Sequence, residues 1–155
     1  MAEPNTSGIH GDPFELNRFV EAQEDIYASA LAQIRAGQKR SHWMWYIFPQ
    51  IEGLGFSSTS RRYAIRGIAE ATSYLAHPIV GPRLLECSKA ALNVERRSAH
   101  EVFGSPDDLK LQSCATLFAQ VSPPASVFEQ LIDRFFEGQP DQNTLRQLRG
   151  PTSES

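Results

Sequence analysis

The 155-residue chain has only two cysteines, Cys87 and Cys114, each among apolar neighbours in a helical pattern. So few thiols exclude a disulfide framework, and their setting reads as buried free thiols in a reducing compartment. Nothing approaches 18 consecutive apolar residues, which excludes a membrane-spanning helix. The opening residues, MAEPNTSGIHG, lack a positive stretch followed by an apolar one and so do not read as a signal peptide. An excess of basic charge is also missing, with 15 Lys and Arg against 18 Asp and Glu, net −3. The dibasic pairs Lys39-Arg40, Arg61-Arg62 and Arg96-Arg97 are scattered, so no face for duplex nucleic acid is expected. The histidines, His10, His42, His77 and His100, lack i, i+4 pairing and cysteine companions, which argues against a zinc centre. No serine sits in a nucleophile elbow. No repeat is visible, and no segment alternates with period two for long enough to specify a strand. These absences lead to the expectation of a cytoplasmic protein with no metal, cofactor or membrane partner. They leave its oligomeric state open.

What is present is helical. Apolar residues make up 41% and charged residues 21% of the chain, an ordinary balance for one globular domain. Residues 1–11 and 150–155 are small and polar and read as disordered ends around a domain over 12–149. Asp12-Pro13-Phe14-Glu15 combines a cap, a proline for the first helical position and an acid able to close a capping box. Leu16, Phe19, Val20, Ile26, Tyr27, Ala30 and Ile34 then recur at helical spacing, predicting one helix ending at Gly37. Helical runs follow from about Arg61 to Ala76, with Gly67 as a break, and from Ile79 to Asn93. Ser98 to Glu101 is a second capping box opening a short turn. Further helices are predicted over Pro106 to Val121, in the stretch SPPASVFEQLIDRFFEG from Ser122 to Gly138, and over Asp141 to Arg149. The fold class is therefore all-α, a single compact domain of about seven or eight short and medium helices.

Candidate functional residues are those that violate these stripes. Gln23 points along the apolar face of the first helix, where a buried amide needs partners. It serves either as a structural amide or as a ligand contact. Lys110 lies at the edge of a buried stripe, so it either reaches to water or meets an anion. Asp107 and Asp108 suit the positive end of the helix that follows them, and Ser113 and Thr116 are placed to back-bond to helix carbonyls. The segment KRSHWMWYIFPQ holds Trp43 and Trp45 together with Lys39, His42 and Gln50. Trp43 to Phe48 can form a short helix, in which the two indoles diverge by about 200°, or an extended piece, in which they share a side; one is expected in the core and one partly on a pocket wall. His42 has the chemistry of a proton-transfer group. The loop GLGFSSTSRR offers backbone amides, hydroxyls and Arg62 to an anion, although it has neither Walker nor dinucleotide spacing.

The blocks DPFELNRFVEAQ, KRSHWMWYIFPQIEGLG, YLAHPIVGPRLLEC and FGSPDDLKLQSCATLF resemble a bacterial and fungal family of unknown function, domain family eighteen-ten, across nearly all of residues 12–148. Some members carry a calpastatin label, which does not suit a repeat-free, core-rich chain. A second resemblance, to the YbiA/NADAR superfamily, rests on Phe19, Ala22 and Gln23, on YLAHPIVGPRLLEC and on the Phe103-Gly104 turn. It implies a compact helical protein that cleaves N-glycosidic bonds in ADP-ribose-type nucleotides, with Gln23 and the turn before Lys110 at one site.

The leading expectation is thus an N-glycosidic bond hydrolase acting on a ribosyl nucleotide. Its candidate catalytic residues are Asp107, Asp108, Glu21 and His42. Gln23, Tyr27, Lys39, Trp43, Trp45, Gln50, Arg62, Lys110 and Ser113 are the candidate contacts to a nucleotide-like small molecule. The alternatives are a non-catalytic nucleotide-binding module and a helical protein-interaction domain. All of these site assignments suppose that the indole-bearing segment folds over the Gln23 amide and the Lys110 ammonium around one cavity.

Overall fold

A computed structural model describes residues 12–149; the expected polar ends, 1–11 and 150–155, lie outside the described residues. Among the described residues ten helices follow one another: α1 Asn17–Gln23, α2 Tyr27–Arg35, α3 Met44–Ile47, α4 Ser58–Arg62, α5 Ile68–Ala76, α6 Val80–Leu92, α7 Ala99–Phe103, α8 Asp107–Ala119, α9 Val127–Phe136 and α10 Gln142–Arg149. Among the described residues there is no strand, only an isolated parallel bridge between Ile51 and Ile65. The all-helical, single-domain expectation is met. No helix among the described residues is long and apolar enough to cross a membrane.

The helix count exceeds expectation because two predicted helices each divide. The run from Asp12 to Gly37 breaks after Gln23, where Glu24 and Asp25 are exposed at the negative end of α1. Acids there oppose the dipole, and Asp propagates a helix poorly. Asp12 accepts from the backbone N–H groups of Leu16 and Asn17, but the N-cap of α1 is Leu16, so the helix starts a turn later than predicted. Glu15 has a left-handed backbone, φ 58°, so the predicted capping box with Asp12 does not form. The second division lies at Ala64 and Ile65, both buried. Ile65 accepts from Glu52 N–H and donates to Gln50 O, which holds the chain extended until α5 begins after Gly67.

Elsewhere the sequence signals hold. Ser98 and Glu101 form the reciprocal capping box of α7, and Ser126 caps α9. Ser105 to Asp108, which by their composition repeat the pattern of cap, proline and acids, differ: no side chain caps α8, although Asp107 and Asp108 occupy its first turn. Helices α6 and α8 form the centre. Val80, Leu84, Cys87 and Ala91 of α6 and Leu111, Cys114, Ala115 and Phe118 of α8 are all buried. Around them, α8 packs on α5, α7, α9 and α10, while α6 packs on α2, α5 and α9. Phe118 bridges Tyr74 and Phe128 at ring separations of 5.4 and 5.6 Å. Burial pushes the Cys87 thiol up to about 12 and raises Cys114 well above the ordinary range, so both remain protonated packing groups.

Candidate functional site

Gln33 of α2 fixes the tryptophan-rich segment. Its Oε1 accepts from Arg40 N–H at 2.7 Å, Ser41 N–H at 3.2 Å and the Trp43 indole N–H at 2.9 Å. Its Nε2 donates to the hydroxyls of Ser29 and Ser41. A donor of a buried indole needs such a partner. Trp43 is 1% exposed and packs against Phe48 and Phe103, so it is a core residue and forms no ligand wall. The single turn of α3 then carries Trp45 to the other side, half-buried at the surface.

Lys39 is tied down by its backbone N–H, which donates to Val102 O at 2.7 Å. Its ammonium lies 2.8 Å from Asp107 Oδ2, and Lys110 Nζ approaches Asp107 Oδ1 at 3.1 Å. Each ammonium also faces an indole, Lys39 at 5.1 Å from the Trp43 ring centre and Lys110 at 4.8 Å from that of Trp45. The five side chains form one chain of contacts, Trp43–Lys39–Asp107–Lys110–Trp45. Burial raises the Asp107 carboxyl, but the two ammonium groups outweigh it and hold the group below the usual carboxylate range. Asp107 is therefore a charged anion between two cations, which leaves one positive charge uncompensated. The side chain of Lys39 is only 7% exposed, that of Asp107 18% and that of Lys110 25%, so this charge is weakly screened.

The three groups border a cleft of about 320 Å³, together with Trp45, His42 and the hydroxyl-bearing Ser57 and Thr59. Trp45 and Lys110 also belong to the wall of a second hollow of about 350 Å³, lined by Gln50, Leu54, Leu109, Ser113 and Asp141. The loop between the hollows closes tightly on the indole. A Cβ at Gly55 would fall 3.0 Å from Trp45 Cη2 and 2.6 Å from Ser60 Oγ, so glycine is required for this approach. Gln50 is 2% exposed, and its Nε2 has no hydrogen-bond partner. Ser113 Oγ lies 3.2 Å from Leu109 O and 3.0 Å from Asp141 Oδ2.

Of the predicted site residues, Lys39, His42, Trp45, Asp107 and Lys110 come together in the first cleft, and Gln50 and Ser113 in the second. The others lie elsewhere. Gln23 is buried but lines neither hollow. Its Nε2 donates to Tyr46 O at 2.8 Å and contacts the Tyr74 hydroxyl at 3.3 Å, and its Oε1 accepts from Arg83. It is a buried amide joining α1, α3, α5 and α6, bonded to the backbone of α3 and apart from both hollows. Tyr27 donates to Glu86 and packs under the Arg83 guanidinium. Burial and Glu86 raise its phenol well above the ordinary range. Arg62 is exposed and contacts Tyr63. Glu21 is exposed and accepts from Asn17 within α1. Asp108 points toward His100, 3.6 Å from its Nδ1, rather than into the cleft.

Sequence reasoning passed over Gln33, a polar residue in an ordinary helical pattern whose role depends on the chain doubling back after Gly37. Ser57 and Thr59 lay within the loop singled out as an anion candidate, but nothing in their spacing separated them from the neighbouring hydroxyls. A larger groove of about 590 Å³ runs beside α6, but its charges at Arg35 and Glu86 are exposed and already paired at 3.4 Å. Among the described residues, no group of three His, Cys, Asp or Glu side chains is arranged to hold a metal ion.

Fold and site together define a small all-helical domain with a lysine–aspartate–lysine cleft walled by tryptophan. The chain belongs to the family described as Protein of unknown function (DUF1810), which matches residues 13–148. It is similar to a conserved hypothetical protein from Mycobacterium tuberculosis whose crystal structure is solved. The two share 47% sequence identity with a TM-score of 0.87, over 88% of this chain and 98% of that one. No curated protein matches the chain.

Proposed function

We propose that the protein is a binding module for a small anionic ligand of the nucleotide type, with its phosphate held in the Lys39–Lys110 cleft. The observation that carries this reading is the unbalanced charge of the lysine–aspartate–lysine group in a partly buried hollow. Two hydroxyls and an indole complete the setting. A phosphate there would exchange water for charge-assisted hydrogen bonds, which are about twice as strong as neutral ones. Asp107 tethers the two ammonium groups before the ligand arrives, so little side-chain freedom is lost on binding.

A thermal-shift titration with inorganic phosphate, ribose 5-phosphate and nucleoside monophosphates tests the reading. A ligand at 100 times its Kd adds about 2.7 kcal/mol to stability. The expected result is stabilisation by phosphate-bearing compounds that Lys110→Met removes. Absence of any shift at millimolar concentrations, or an undiminished shift in Lys110→Met, refutes it.

A second reading, hydrolysis of an N-glycosidic bond in an ADP-ribose-type nucleotide, is favoured by two observations. An ionised carboxylate lines the same cleft as the His42 imidazole. A carboxylate kept charged suits an oxocarbenium-like carbon, and an imidazole suits proton transfer to a leaving base. Against it, both Asp107 oxygens already face ammonium groups. The likeness to the YbiA/NADAR superfamily rests on sequence blocks alone. Release of free base from ADP-ribosylated nucleosides, followed by chromatography and lost in both His42→Ala and Asp107→Asn, is the outcome this reading requires. Ligand-induced stabilisation with no base released leaves the binding module alone.

A further inference from the structure

We infer that the Gln50 hollow is the second half of the same binding site and receives a neutral, carbonyl-bearing ring, such as an oxo-base. The anionic end of that ligand would lie across Trp45 in the lysine cleft. The inference rests on the phosphate reading above and names the ligand class that reading leaves open.

Gln50 supplies the independent observation. Its side chain is almost wholly buried, lines the hollow and has an Nε2 with no acceptor. Its backbone is not free to shift, because Gln50 O accepts from Ile65 N–H at 2.8 Å in the bridge. A buried amide donor without a partner is destabilising; Nε2 is itself sealed from solvent, so a turn of the side chain toward the hollow is what brings it to a ligand carbonyl. The remaining lining suits a flat, uncharged group. Leu54 and Leu109 offer apolar surface, Leu109 being 57% exposed, while the Ser113 hydroxyl and Asp141 are already engaged with each other. Trp45 and Lys110 stand in the wall of both hollows, so one ligand can touch the ammonium with its phosphate and Gln50 with its ring.

The test compares inosine and uridine 5′-monophosphates with ribose 5-phosphate by calorimetric titration against the parent protein and Gln50→Leu. One hydrogen bond to a buried amide corresponds to about tenfold in affinity. The two nucleotides are expected to bind the parent at least about tenfold more tightly than ribose 5-phosphate. In Gln50→Leu that preference is expected to vanish while ribose 5-phosphate binds as before. The variant should also melt higher without ligand, because an orphan donor has been replaced by an apolar side chain, and this higher melting temperature shows that it folds. A preference that survives in Gln50→Leu, or no preference in the parent, overturns the inference and leaves the phosphate cleft standing. If ribose 5-phosphate and inorganic phosphate both fail to bind the parent, the phosphate reading falls and this inference falls with it.

Discussion

At the scale of single residues, the chemistry turns on Asp107. Two ammonium groups hold its carboxyl below the ordinary range against the opposing effect of burial. A lowered folded value means that the carboxylate form is favoured by folding. Its stabilisation is complete above the unfolded carboxylate range, about pH 4, and is lost as the pH falls through the folded value. Melting temperatures of the parent and Asp107→Asn should therefore differ by a constant amount above about pH 5 and converge below pH 4. A difference that does not begin to shrink as the pH falls below about 4 would show that the ion pairs do not account for it. The sequence marked Lys110 at the edge of its stripe, Lys39 and Trp45 in the tryptophan-rich run, and Asp107 at the positive end of a helix. It could not display that they meet, because Lys39 and Asp107 are 68 positions apart and the loop that joins them is set by Gln33 and by the bond from Lys39 N–H to Val102 O. Gln23 was misleading for a physical reason: a buried amide satisfied by Tyr46 O and one aimed at a ligand occupy identical positions in a helical repeat.

At the scale of elements, the junction of α5 and α6 carries the sharpest constraint. A Cβ at Gly81 would stand 2.3 Å from Leu75 O and 2.9 Å from Leu75 C, backbone atoms that no rotamer change can move aside. Gly81→Ala should lower stability by about 1–3 kcal/mol, measured by urea denaturation, even though alanine is the better helix former. An unchanged midpoint would mean that the two helices slide apart without cost. Most elements were legible because caps and stripes act locally: Ser98 with Glu101 opens α7, and Ser126 opens α9. The misread elements depended on distant partners. Ile65 is extended because it bonds to Gln50 and Glu52 across the chain, an arrangement invisible to a window of ten residues.

At the scale of the whole molecule, α6 and α8 are shared by nearly every other helix, and one continuous core runs from Leu16 to Ile132. Unfolding should therefore be all-or-none, with calorimetric and van't Hoff enthalpies in agreement; a ratio well above one would reveal two independently melting parts. The same architecture separates the two indoles of the chain. Trp43 is sealed in the interior with its N–H held by Gln33, while Trp45 stands between two hollows beneath a lysine. The molecule thus contains a matched pair of fluorophores, one a constant internal reference and the other a reporter. Its emission will shift in colour and intensity whenever something displaces solvent from either hollow, so occupancy can be followed without attaching a dye.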